Sequence, residues 1–268
     1  MISVARRVIA GPAVTDLQRA WKLLHVIAFM AKSDLRARYR RSVLGPFWLT
    51  LGTAAGTLGL GLVWSELLKM ERATFVPSLT IGLILWQLLS GCMTEATTTY
   101  WRQTALIRNV SMPLSMPPIQ MVLKHLINFV HNVPVFIVVM IMFHVPLTRY
   151  TLLALPCLLL LAANLLWITL LFSMLGARFR DFEYVVGAVM PVLLFVSPVF
   201  YRPNYLPFSG EFMWLNPFSH LIELIRYPLL GSAPPRFVVL TNVAMCVAGW
   251  IVTLWLFNAK RDRIAYWL

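Results

Sequence analysis

The chain has 268 residues, 59% of them hydrophobic, with a mean hydropathy of +0.75 and only 12% charged side chains. Globular domains run at about 45–50% apolar, so a soluble enzyme, a disordered tail and a disulfide-built secreted domain are all excluded. The formal charge of +13 is no sign of a nucleic-acid partner, because in a chain of this composition the positions of the cations matter more than their sum.

Residues 1–46 carry nine of the Lys and Arg side chains and read as a cytoplasmic N-terminal segment. Within it, Asp16 to Ser42 predicts an amphipathic interfacial helix. Leu17, Trp21, Leu24, Ala28, Ala31, Leu35 and Tyr39 recur at spacings of three and four, and Arg19, Lys22, Lys32 and Arg36 point elsewhere. Leu23–Ala31 has the length of a signal-peptide core, but Lys32, Arg36, Arg38, Arg40 and Arg41 follow it and oppose translocation, so the segment is expected to be retained. Gly45-Pro46 then breaks the helix.

From Phe47 onward the sequence predicts an all-α integral membrane protein with six transmembrane helices. About 20 apolar residues cross a bilayer core, and the candidate spans are Phe47–Leu68, Val76–Thr97, Pro118–Phe143, Leu152–Gly176, Tyr184–Phe200 and Phe237–Phe257. The transmembrane domain is therefore 47–257 and the tail 258–268. Sixteen Lys and Arg lie on the side of the two termini and six on the other, which by the positive-inside bias makes both ends cytoplasmic. Cys92, Cys157 and Cys246 all fall within spans and read as small apolar residues.

The third span is unusual. Lys124, His125, Asn128, His131 and Asn132 occupy an arc of about 120° on its first half, where polar groups are costly unless they face the bundle interior or a wet cavity. Two readings stand: a stripe lining a pathway, or polar contacts between helices. Beyond the short fifth span, which runs into Tyr201-Arg202-Pro203, Pro217 to Pro228 brackets a helix too short to cross. It reads as re-entrant, or as an external helix lying flat. Its His220, Glu223 and Arg226 share a face at spacings of three and can satisfy one another.

There is no G-x-x-x-x-G-K-[ST] loop, no H-E-x-x-H and no G-x-S-x-G, so the chain lacks the usual means of binding and splitting ATP or hydrolysing a substrate. Glu66 and Glu95 are the carboxylates within spans, each near an end. No metal ligands, catalytic residues or cofactor are expected in this chain.

Five ordered stretches resemble permease subunits of ABC-type polysaccharide exporters, the family that carries O-antigen, capsule or teichoic acid chains. They are Asp34-Leu-Arg-Ala-Arg-Tyr-Arg-Arg-Ser-Val-Leu-Gly-Pro-Phe-Trp48, Leu106-Ile-Arg-Asn-Val-Ser-Met-Pro-Leu-Ser115, Gly176-Ala-Arg-Phe-Arg-Asp-Phe182, Ser197-Pro-Val-Phe-Tyr201 and Asn216-Pro-Phe-Ser-His-Leu-Ile-Glu-Leu-Ile-Arg226. The O-antigen branch looks closest. The resemblance implies a homodimer in the bacterial inner membrane, driven by two copies of a cytoplasmic ATPase that binds ATP and Mg²⁺. The implied cargo is a polysaccharide on a polyprenyl-pyrophosphate lipid. It also implies that the loop after the second span docks on the ATPase, here through Arg102, Ile107, Arg108, Asn109 and Val110. The N-terminal helix is implied to gate admission of the lipid, with Arg36, Arg38, Arg40 and Arg41 positioned to attract its pyrophosphate. The external helices, with His220, Glu223 and Arg226, would close the far side.

Sugar faces stack on aromatic rings, so Trp48, Trp64, Trp86, Tyr100, Trp101, Phe195 and Tyr201 join Lys124 and Asn128 as channel-lining candidates. Two rivals from other classes stand beside this reading. A membrane enzyme modifying lipid-linked glycans would turn over without an ATPase, and a passive channel or proton-coupled carrier would show repeats or ionisable residues at midplane.

Overall fold

The computed structural model describes residues 11–45, 47–67, 69–201 and 210–268. The start of the N-terminal segment, Pro46, Leu68 and the Arg202-Pro203 pair lie outside the described residues. The described residues form twelve α-helices and one 3₁₀ turn, with no strand among them.

The N-terminal segment forms two helices rather than one, α1 (Pro12–Lys22) and α2 (Leu24–Arg38). Pro12 suits the first turn, where its missing N–H costs nothing. The chain turns at Leu23, whose φ of −97° and ψ of 14° leave the helical region. This break displaces the expected stripe. The buried positions are Ala13, Asp16, Ala20, Ile27, Ala31 and Leu35, whereas Trp21 is 73% exposed.

Five described helices are long and apolar enough to cross a membrane: α3 (Phe47–Leu67), α4 (Arg72–Ala96), α7 (Met116–Met142), α8 (Ala154–Arg178, entered through the 3₁₀ turn Arg149–Leu153) and α12 (Arg236–Trp267). Between α4 and α7 lie the short helices α5 (Thr99–Arg102) and α6 (Thr104–Asn109). The expected fifth span is α9 (Phe182–Val196), whose 15 residues rise about 22 Å, less than the ~30 Å hydrocarbon core. After it come α10 (Gly210–Leu215) and α11 (Pro217–Leu229). The expected tail is no separate element, since α12 continues through 258–268 to Trp267.

The bundle is built around α4, which is buried on nearly every side by α3, α7, α8, α9 and α11. Its apolar residues join those of α7, α8 and α11 in the main core. The helix α3 turns an inverted face to α4: the buried residues Thr53, Thr57, Gly61 and Ser65 recur every fourth position, and Leu58, Leu62, Val63 and Leu67 point outward. Small residues at a helix contact and large apolar ones away from it are the arrangement of membrane helices, where lipid is as apolar as leucine and close approach supplies the packing energy. The helix α9 buries only Val186 and Met190.

Candidate transport path and cytoplasmic coupling face

The polar stripe on α7 meets a second one on α4. Glu95, at the end of α4, forms an ion pair with Lys124, lies 2.9 Å from His125 Nε2, and has Arg102 Nη1 3.8 Å away. Removing a carboxylate and an ammonium from water costs several kcal/mol each, which mutual attraction and hydrogen bonds must offset; here one carboxylate serves three basic side chains. Gly91 permits this approach, because a Cβ there would stand 2.6 Å from the His125 ring. Deeper in the bundle Thr53, Gln87 and Asn132 close a ring of hydrogen bonds: Thr53 Oγ1 to Asn132 Oδ1 at 3.0 Å, Asn132 Nδ2 to Gln87 Oε1 at 3.0 Å and Gln87 Nε2 to Thr53 Oγ1 at 3.1 Å.

These contacts join the two readings of the stripe, because the same residues hold helices together and border cavities. Lys124, His125 and Asn132 hold helices together, and His131 Nδ1 lies 2.8 Å from the Ile127 carbonyl of its own helix. His125 and Asn132 also line a cavity of about 280 Å³, together with Asn128, Ser90, Thr94 and Phe129. A second cavity of about 480 Å³ lies beside Asp34, Glu95, Arg102, Gln103, Gln120 and Lys124. Arg38 borders both. The Gln103 Oε1 atom is buried with no hydrogen-bond partner among the described residues, and its amide donates to Gln120 Oε1 at 3.2 Å.

The loop between α4 and α7 is fixed at both feet. On one side, Trp101 Nε1 donates to the Gly176 carbonyl at 3.1 Å and the Arg180 guanidinium lies 4.2 Å above the Trp101 ring. On the other, Asp16 Oδ2 accepts from Leu114 N–H at 3.0 Å, and Oδ1 accepts from the Ser115 N–H at 2.9 Å and hydroxyl at 2.6 Å. Arg261 of α12 completes the clamp, 3.1 Å from Asp16 Oδ2. The Tyr100 hydroxyl donates to the Leu114 carbonyl at 2.8 Å, and burial first, the Asp16 carboxylate second, push its pKa well above the ordinary value. Between these feet α6 has no buried residue; Ile107 rests partly on the apolar cluster around Tyr100 and Ile264, and Arg108, Asn109 and Val110 are exposed.

The remaining expected site residues are distributed widely. Arg36, Arg38, Arg40 and Arg41 are all exposed, and Arg41 adopts a positive φ of 73°. Trp86 and Tyr100 lie inside the protomer, Trp86 against Phe218, so neither presents a face to an open path. Trp64 stacks on Phe200 at 5.7 Å, Phe195 lies 5.6 Å from Phe200, and Tyr201 donates to the Val196 carbonyl at 3.0 Å. Trp48 and Phe195 are mostly exposed. At the far end Glu223 and Arg226 pair at 2.6 Å, both buried, while His220 turns away to the Trp214 carbonyl at 2.8 Å. Asn216 caps α11 by accepting from Phe218 N–H at 3.0 Å.

The described residues form a bundle of apolar helices with a buried ion-pair network and an exposed short helix between two of the long ones. Residues 25–230 match the family described as ABC-2 type transporter. The chain belongs to that family. It is also similar to proteins named O-antigen export system permease protein: one from Klebsiella pneumoniae is 22% identical over 257 residues, covering 91% of this chain and 95% of the relative. Another, from Myxococcus xanthus, is 24% identical over 243 residues, covering 88% and 92%. This ABC-2 permease is a membrane transport subunit. Sequence reading missed Asp16 and Glu95 as the two organising carboxylates; for Glu95 the signal was present, a lone acid at a span end facing the basic stripe of the next span.

Proposed function

We propose that this permease is the channel-forming subunit of an ATP-driven exporter that moves a polyprenyl-pyrophosphate-linked, O-antigen-like polysaccharide from cytoplasm to periplasm. It acts as a homodimer in the inner membrane with two copies of a separate ATPase, which holds the ATP and Mg²⁺. In this reading α9 is the short fifth of six spans, α11 is re-entrant from the outside, and both termini are cytoplasmic. Arg36, Arg38, Arg40 and Arg41 attract the lipid pyrophosphate at the cytoplasmic surface. Trp48, Trp64, Asn128, Phe195 and Tyr201 meet the sugar chain, and the Glu223–Arg226 pair stabilises the external closure.

The observation that carries this reading is the exposed α6 held between two fixed feet. A nucleotide-driven shift in a partner can bias a channel only through a contact that differs between two states, and α6 offers such a contact, joined directly to α4 and α7. The open faces of α3 and α9 supply apolar surface for a second copy.

The test is co-purification and export with α6 variants. Ile107→Asp should weaken the complex with the ATPase by burying an unpaired charge. Arg108→Glu should leave hydrolysis running while export falls. Normal binding and export by both variants would move the coupling contact elsewhere, to the loop 177–183.

A further inference from the structure

The ends of α8 and α12 on the side of the termini part around a cavity of about 370 Å³ that shares no residue with the two cavities at Arg38. On α12 its wall is Leu256, Lys260, Arg263 and Trp267, spaced four, three and four residues apart and so on one helix face. The character of that face changes in order: apolar at Leu256, cationic at Lys260 and Arg263, aromatic at Trp267. From α8, Met174 adds to the apolar floor and Arg178 adds a third cation. The Arg178 guanidinium lies 5.7 Å from the rings of both Phe179 and Trp267, which hold it at the rim.

No carboxylate of the described residues lines this cavity. Asp181 and Glu183 lie beyond the end of α8, Asp262 lies off the wall of α12, and Arg261 is turned away to Asp16. Lys260 and Arg263 form no ion pair or hydrogen bond among the described residues. Three cations of one sign gathered without an acid create a field that an anion relieves. An apolar floor below them selects an anion that carries hydrocarbon. Arginine forks match phosphate oxygens, and basic pockets between helices at the cytoplasmic surface take lipid headgroups.

We propose that this cavity binds an anionic phospholipid of the cytoplasmic leaflet. Its phosphodiester sits among Arg178, Lys260 and Arg263, and an acyl chain runs over Leu256 and Met174. Trp267 marks the headgroup level, where indole rings concentrate. The assignment of leaflet rests on the topology proposed above; the binding chemistry does not. A bound lipid at this place would fasten α8 to α12 next to the Asp16 clamp, and so brace the foot of the coupling loop from the membrane side.

The test uses the purified full-length protein in detergent, stripped of lipid and titrated with phosphatidylglycerol or phosphatidylcholine of identical chains, with bound lipid counted by native mass spectrometry. Phosphatidylglycerol should bind at least tenfold more tightly. Each of Arg178→Gln, Lys260→Gln and Arg263→Gln should weaken it roughly fivefold, Lys260→Arg should retain it, and Arg149→Gln at the opposite end should change nothing. Independently, phosphatidylglycerol carrying a nitroxide on its headgroup should quench the fluorescence of the unmodified protein more than that of Trp267→Phe. This second measurement decides the matter if a Gln variant fails to accumulate. Equal binding of the two lipids, or equal quenching of the two proteins, overturns the proposal. So does tighter binding of a polyprenyl pyrophosphate, which would make this a carrier site, or loss of the ATPase with lipid affinity unchanged, which would make it a protein contact. Neither readout involves export, so failure of the transport reading and failure of this one are separable.

Discussion

Replacing Asp16 by alanine removes a carboxylate that is 1% exposed and leaves two buried backbone donors, the N–H groups of Leu114 and Ser115, without an acceptor. It also strands Arg261, whose side chain is 24% exposed. Breaking a buried charged pair costs about 3–5 kcal/mol, the second partner and its donors being left unsatisfied. The loss falls on the docking of α1, because its further ties to α12 are the bonds from Ala13 N–H to Asn258 and from Arg261 to the Pro12 carbonyl. A local loss of about 3 kcal/mol raises the open population of α1 roughly a hundredfold. Amide hydrogen exchange over Pro12–Lys22 and Met112–Met116 reads that directly, and Asp16→Asn, which keeps the shape and one acceptor, should fall between parent and Asp16→Ala. Exchange within twofold of the parent in Asp16→Ala would show that the clamp contributes nothing and that α1 is held by its apolar contacts alone.

Glu95→Gln should destabilise the bundle by about 3–5 kcal/mol by leaving Lys124 buried and unpaired, and Glu95→Gln with Lys124→Met should recover most of that loss; equal melting temperatures for the single and double variants would exclude the pair as the cause. Gly82→Ala should cost about 1–3 kcal/mol through overpacking, since its Cβ would stand 2.5 Å from both Arg226 Nη2 and the Val199 carbonyl, and thermal unfolding in detergent measures it. Single cysteines at Thr74 and Thr148 should react with an impermeant thiol reagent in sealed cells and one at Asn109 should not; reaction at Asn109 would reverse the topology.

The spans were legible because about twenty apolar residues are a signal of length and composition, and α3, α4, α7, α8 and α12 satisfy it. Hydropathy could not say that α4 is enclosed by protein while α3 and α9 keep open faces, since lipid and protein interiors ask for the same side chains. The Glu223–Arg226 pair was legible from its spacing of three; His220, on the same face, went to a carbonyl of the preceding helix α10 that no spacing encodes. Asp16 was invisible for a similar reason: its acceptor role is defined by backbone donors 98 and 99 residues away. The break at Leu23 has no glycine or proline to announce it, and the misplaced stripe follows from that one missing turn.

The position of α4 connects the two ends of the proposed pathway. At Glu95 it holds Lys124 and His125 beside the cavities bordered by Arg38. Thirteen residues earlier, about 20 Å along the axis, Gly82 lets Arg226 and the Val199 carbonyl approach its backbone. Pro77, the one proline within α4, lies on the outer side of Gly82, so the ladder lost at its missing N–H does not interrupt the stretch between Gly82 and Glu95. That stretch therefore moves as one body. In the transport reading proposed above, a displacement delivered at α5 and α6 enters α4 at its Glu95 end, where Trp101 is already pinned to Gly176 of α8, and α4 pivots there rather than slides. About a pivot at that end Glu95 and Gly82 lie on the same side, so they shift in the same direction, and Gly82, about 20 Å farther from it, shifts more. In that reading a change that loosens α4 against α7 beside Arg38 is transmitted, enlarged, to its contact with Arg226 and α11, so one displacement reaches both ends of the proposed pathway.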